Sequence, residues 1–424
     1  MKDIRKPGFM KAALTSSSHA AVLEMLIALL VFFVGDIIMG ILQAPALAVY
    51  LFGNQEYMRM VLSNSLDFNK IMNMVLDMPD WMMIVSLLSE AALIAVFILY
   101  CRIFEKRKPA TLGFRKKKFA AEYLRGIVLG AAAFVMAYGI CVFTGSVKFH
   151  PVSSEGTTGL YIAGFLLGYL IQGMAEEVIC RGYLLVSLSR RYSVTASIVF
   201  SAVFFAMLHG LNAGVGVLAF LNLTLFGIFM GLLFVRYENI WIVGAVHSIW
   251  NFMQGNIFGI QVSGTQFQPS IFTSDIITGK ELINGGSFGA EGGLAVTVVL
   301  LFASALLLLN MSREGYFASA EPVVNPYDKM TYGGFVNQNM PQNPDIFGGQ
   351  GSMGNQTDGS ATQASKDMSG TENQNVLAAG NVSKPSEFAK SHENMGINPQ
   401  ETPWHPEEEP QKNITGFDQN YFKD

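Results

Sequence analysis

The chain has 424 residues, of which 51% are hydrophobic and only 14% charged, and its formal net charge is −4. That small figure averages two unlike regions: residues 1–310 carry 21 Lys and Arg against 17 Asp and Glu, or +4, whereas the remainder carries 7 against 15, or −8. Apart from one basic loop, neither region is basic enough to argue for a nucleic-acid partner, and Cys101, Cys141 and Cys180 lack the paired spacing of a disulfide framework or a CxxC metal site.

A helix needs roughly 20 mostly apolar residues to cross about 30 Å of hydrocarbon. Eight stretches come near that length, at about 25–51, 81–101, 126–147, 159–189, 192–209, 211–235, 239–260 and 292–311. The fold class expected is all-α, a polytopic transmembrane helix bundle of about eight spans over residues 1–311. The first stretch follows a basic start (Lys2, Arg5, Lys6, Lys11), and Ala46 and Ala48 mimic a cleavage site. Its apolar run exceeds the signal-peptide core of about 7–15 residues, so it reads as an uncleaved anchor.

After the second stretch comes the loop with Arg102, Lys106, Arg107, Lys108, Arg115, Lys116, Lys117 and Lys118. Lys and Arg in short loops stay cytoplasmic, which places this loop, the N-terminus, Arg190-Arg191, Arg236 and the C-terminus of a multi-pass cell-membrane protein on the cytoplasmic side. Residues 312–424 are rich in Asn, Gln, Gly, Ser and Pro and cannot bury a core, so a disordered tail is expected, with Trp404 to Pro410 as solvated spacer. There is no internal repeat.

Three polar clusters interrupt the apolar stretches: Glu176 and Glu177 with Arg181, Phe205 with His209, and His247 with Asn251. Ionisable groups at membrane depth are costly unless paired or hydrated, so their grouping implies a function. Residues four apart share a helix face, which allows Glu177 to pair with Arg181 and aligns Phe205 with His209 and His247 with Asn251. Counted from the cytoplasmic ends at about 1.5 Å per residue, Glu176 lies roughly 21 Å deep, His209 roughly 25 Å, His247 roughly 14 Å and Asn251 roughly 20 Å. Two adjacent buried carboxylates resist ionising together, which suits one of them to general-base chemistry. Nearby imidazoles could share a water's proton, and Asn251 could donate to a developing oxyanion. No serine or cysteine has the neighbouring base of a covalent nucleophile; Cys180 reads as a filler. Glu90 and Asp36 lack motif partners and read as packing or hydration residues.

In order and residue type, these motifs (EExxxR, FxxxH and HxxxN over about 159–256) resemble the type II CAAX prenyl endopeptidases, also called the CPBP or Abi family of intramembrane glutamate proteases. The resemblance extends to Leu112–Lys117 (LGFRKK) and Ser287–Leu294 (SFGAEGGL). It implies a membrane endopeptidase, needing no cofactor, in which Glu176 activates a water with His209. His247 and Asn251 would form the oxyanion site, Glu177 and Arg181 would position Glu176, and Phe205 would bear on bound substrate. The expected partners are a peptide or protein substrate and the lipid bilayer, the substrate being of CAAX type or related to bacteriocin maturation or immunity. Three readings compete: a zinc centre built on Glu176, His209 and His247, a transporter with a proton relay, and a non-catalytic scaffold or immunity protein.

Overall fold

The computed structural model describes residues 2–76, 78–151 and 159–319, all within the unit Met1–Met340. The expected disordered tail lies outside the described residues from 320 onward. Its first residues do not belong to it: the last helix runs to Arg313, and Phe317–Ser319 forms a strand.

Eight helices carry the fold: α1 (Ala21–Gly53), α2 (Asp80–Ile103, interrupted at Glu90), α3 (Phe119–Phe143), α4 (Gly159–Leu188), α5 (Val194–Leu208), α6 (Val217–Tyr237), α7 (Ile240–Phe252) and α8 (Leu294–Arg313). All but α5 and α7 are long and apolar enough to cross a membrane, so among the described residues six helices meet the criterion, not the eight expected. These two fall short because α5 is trimmed at both ends of its apolar run and α7 passes from α-helix into a π-helical turn. Ser193 Oγ accepts from the Ala196 amide and Asn239 Oδ1 from the Trp241 amide, which fixes where α5 and α7 begin. At its other end α5 stops at His209, leaving 15 residues, or about 22 Å of helix. α7 has 13 residues and runs on into a wide π-helical turn, Met253–Ile257.

Among the described residues, two small antiparallel ladders accompany the helices. β1 (Lys2–Ile4) pairs with β4 (Phe317–Ser319), and β2 (Val147–His150) with β3 (Thr273–Ile276). The first ladder brings the start of the chain beside the end of α8, so both lie at one face of the bundle.

α7 packs between α3 and α4, and small residues set the spacing. A methyl group on Gly130 of α3 would come within 2.6 Å of the Val246 carbonyl oxygen, and one on Gly173 of α4 within 2.6 Å of the Ser248 amide nitrogen. Close backbone approach at small residues is how helices associate where no hydrophobic force separates lipid from protein. Here it grips α7 on either side of His247.

At the end of α4, buried charges replace apolar packing. Arg190 donates to Glu24 (2.9 Å), Glu105 (2.5 Å) and Ser16 (2.7 Å), and Arg107 to Glu105 (2.8 Å), Ser187 Oγ (2.9 Å) and the Gly182 carbonyl (3.2 Å). Two residues of the basic clusters therefore sit inside the protein as ion-pair partners, tying the chain before α1 and the loop after α2 to α4. Burial pushes the Glu105 carboxyl up, but the two guanidinia outweigh it and hold it below the usual carboxylate range. A group whose folded pKa is depressed contributes stability above its unfolded value, about 4.3 for Glu, and that contribution is lost as pH falls through the folded value. Glu105→Gln is expected to cost roughly 3–5 kcal/mol at pH 7, since one partner of a buried network is removed, and to flatten the loss of stability below about pH 4. Thermal unfolding in detergent across pH checks this; an unchanged transition at pH 7 would contradict it.

Candidate active site

Regular α-helix in α4 ends at Glu177, and Val178–Leu185 continues as a π-helical stretch. Such wide turns loosen the backbone ladder and are found at functional sites. Ser201 Oγ of α5 donates to the Cys180 carbonyl at 2.7 Å, supporting the stretch from outside. Arg181 points back along the helix: Nη1 donates to Glu177 Oε1 at 2.7 Å, and Nη2 reaches the Gly227 carbonyl of α6 at 3.2 Å. Its guanidinium lies over the Phe205 ring, 4.9 Å from the centroid. Both Glu177 and Arg181 are wholly buried.

Glu177 Oε1 also lies 2.9 Å from His247 Nδ1. A carboxylate can only accept from a neutral imidazole, so that nitrogen carries the hydrogen and Nε2 is left facing the cavity. The same logic applies to His209, whose Nδ1 lies 2.9 Å from the Phe205 carbonyl oxygen. Both Nε2 atoms converge on Glu176 Oε2, at 3.6 Å for His247 and 3.8 Å for His209. These separations exceed a direct hydrogen bond and suit a shared water. Oε2 itself has no hydrogen-bond partner.

Glu176 is held from its other oxygen. Gln172, one turn earlier on α4, donates from Nε2 to Glu176 Oε1 at 2.5 Å, and its own Oε1 accepts from Asn251 Nδ2 at 2.9 Å. The ring of Phe205 lies 4.7 Å from that of His209 and 5.8 Å from that of His247, filling the space between Arg181 and the imidazoles.

Glu176, Phe205, His209, His247 and Asn251 line one cavity of about 190 Å³, with Glu177 and Arg181 behind it. All seven residues singled out from the sequence thus belong to one constellation, although the hydrogen bond holding Glu176 comes from Gln172 and not from Glu177 or Arg181. Gln172 was legible: it stands four residues before Glu176, the spacing already used for Glu177 and Arg181. Glu90 lines the cavity too, from the break in α2, whereas Asp36 is exposed on α1. Glu291, from the Ser287–Leu294 segment, and Tyr169 add to the polar lining together with Asn212, Asn222, Ser263 and Thr265. Among the described residues, no group of three or more His, Cys, Asp and Glu side chains is arranged to hold a metal ion.

Residues 158–253 match the family model described as Type II CAAX prenyl endopeptidase Rce1-like. The matched segment supplies every one of the seven residues and is similar to CAAX-type membrane proteases in general, and the six apolar helices make the chain a multi-pass membrane protein. No curated protein matches the chain.

Arg181→Met should leave the Glu177 carboxylate buried without its guanidinium, a loss of roughly 3–5 kcal/mol. Thermal unfolding in detergent measures it; a variant as stable as wild type would show that Glu177 does not depend on Arg181.

Proposed function

Starting from an Rce1-like domain at residues 158–253, we propose that the chain is an intramembrane endopeptidase that hydrolyses a peptide bond with a water activated by Glu176 and His209, without a metal ion. The observation that supports it is the approach of Glu176 Oε2 to two imidazole Nε2 atoms. In the neutral tautomers all three atoms are acceptors, and a water donating to two of them keeps its lone pairs free for a carbonyl carbon. Glu176 takes the proton as the hydroxide adds, and later returns it to the departing amine, as a positioned general base does.

The tetrahedral oxyanion needs donors. Asn251 Nδ2 carries two hydrogens, of which Gln172 uses one, and His247 can donate from Nε2 when protonated, with the Glu177 carboxylate balancing the imidazolium. Glu177 and Arg181 thus support the site from behind, and Phe205 fixes the imidazole planes. The termini lie on the cytoplasmic side in this reading. Substrates are peptides of CAAX type or those processed in bacteriocin maturation.

Glu176→Ala is expected to lower kcat for peptide cleavage at least about 10³-fold, near the upper range for losing a general base, and Asn251→Ala about 10²–10³-fold with little effect on KM. Peptide-library cleavage by the purified protein in detergent, with unfolding temperatures as a control for folding, measures both. Equal cleavage by wild type and Glu176→Ala would overturn the protease reading in favour of a scaffold. Chelator treatment should leave the rate unchanged; a loss restored by zinc would assign Glu176, His209 and His247 to a metal instead.

A further inference from the structure

The cavity holds more acid than the proposed hydrolysis uses. Besides Glu176, the carboxylates of Glu90 and Glu291 line it, while no Lys or Arg does. Among the described residues neither Glu90 nor Glu291 has a cation within ion-pair distance. Glu291 is 8% exposed and held firmly: Gln254 Nε2 donates to its carboxylate, Ser263 Oγ lies 3.5 Å from it, and Asn222 Nδ2 donates to the Glu291 carbonyl at 2.7 Å and the Gly293 carbonyl at 2.9 Å. These partners are neutral dipoles and leave the carboxylate without a counter-charge.

A second feature of the same cavity is independent of that acidity. Tyr169, 1% exposed, lines it with a hydroxyl that has no hydrogen-bond partner. Aromatic rings form much of the remaining wall, among them Phe226, Trp250 and Phe267. Ring faces attract cations, most strongly when water is excluded. An isoprenoid chain in this space would leave two carboxylates and a hydroxyl dry, at the cost of unpaired buried polar groups.

We propose that this cavity receives an organic cation of the substrate, the ammonium or guanidinium of a Lys or Arg side chain next to the scissile bond, with Glu291 as its counter-charge and the specificity-determining residue. The inference rests on the protease reading and, of the two substrate classes given there, favours non-prenylated peptides over the CAAX type. Burial pushes the Glu291 carboxyl up to about 7, against the pull of Gln254 and Ser263, as expected of a carboxylate whose charge is completed by a ligand.

The test uses the full-length protein in detergent with matched peptides carrying Lys or its uncharged isostere norleucine beside the cleaved bond, each with a free or an acetylated N-terminus. Wild type should favour Lys over norleucine in kcat/KM by at least about tenfold, chiefly through KM, since a buried charge pair is worth that much or more. In Glu291→Gln the ratio should fall to near one, and Glu291→Asp should restore part of it. A general folding defect would lower both rates and leave the ratio alone. A preference that follows the free N-terminus and not Lys, or a ratio unmoved by Glu291→Gln, would overturn the proposal. Binding of acetyl-lysine amide against acetyl-norleucine amide to the wild type, read by thermophoresis, decides it without turnover: tighter binding of the lysine compound that Glu291→Gln abolishes supports it, and equal binding refutes it. Absence of any cleavage alongside selective lysine binding would count against the protease reading alone.

Discussion

One carboxylate oxygen organises the centre of this bundle. Glu177 Oε1, fully buried among apolar helices, is shared between Arg181 on its own helix and His247 on α7. A charge in that setting is tolerated only if it is paired and hydrogen-bonded, because the desolvation cost would otherwise exceed the packing energy around it. Satisfying it draws in four helices: α4 supplies the pair, α7 the imidazole, α6 the Gly227 carbonyl that takes the other arm of Arg181, and α5 the Phe205 ring beneath the guanidinium. The convergence of chemistry-bearing groups follows from neutralising this charge.

Geometry then transmits the constraint to Glu176. With Nδ1 of His247 engaged by Glu177, only Nε2 is left to face Glu176. Gly130 and Gly173 admit neighbouring backbones on both sides of His247, so its depth is set by main chain and not by adaptable side chains. Gln172 holds Glu176 by one oxygen and leaves the other bare. Groups fixed in this way need little reorganisation, which the proposed hydrolysis would use as charge develops in a water-poor site.

Much of this arrangement could be read from the chain because helices enforce a four-residue repeat. The spacings of Glu177 to Arg181, Phe205 to His209 and His247 to Asn251 each gave the correct face, and the helical membrane bundle followed from the apolar runs. Spacing does not tell which of two adjacent glutamates turns inward to another helix and which turns to a cavity; packing of α7 decides that Glu177 takes the first role and Glu176 the second. Nor does a count of basic residues separate a loop marker from a buried partner, and so Arg107 and Arg190 emerged as ion-pair partners only with Glu24 and Glu105 in place. Glu291 lay within the Ser287–Leu294 segment already singled out, but no four-residue spacing marked it, because its contacts, Gln254 and Ser263, come from a π-helical turn and a loop. Two of the eight expected spans fall below membrane-crossing length where Ser193 and His209 bound α5 and where α7 passes into its π-helical turn.

The most direct measurement of the central claim is the nitrogen-15 spectrum of the histidine side chains in lipid, assigned with His209→Gln and His247→Gln variants. The account predicts that neutral His247 carries its hydrogen on Nδ1, hydrogen-bonded to Glu177, with Nε2 bare, and that Glu177→Gln alters this signal. A neutral His247 protonated on Nε2, or one indifferent to Glu177, would contradict it.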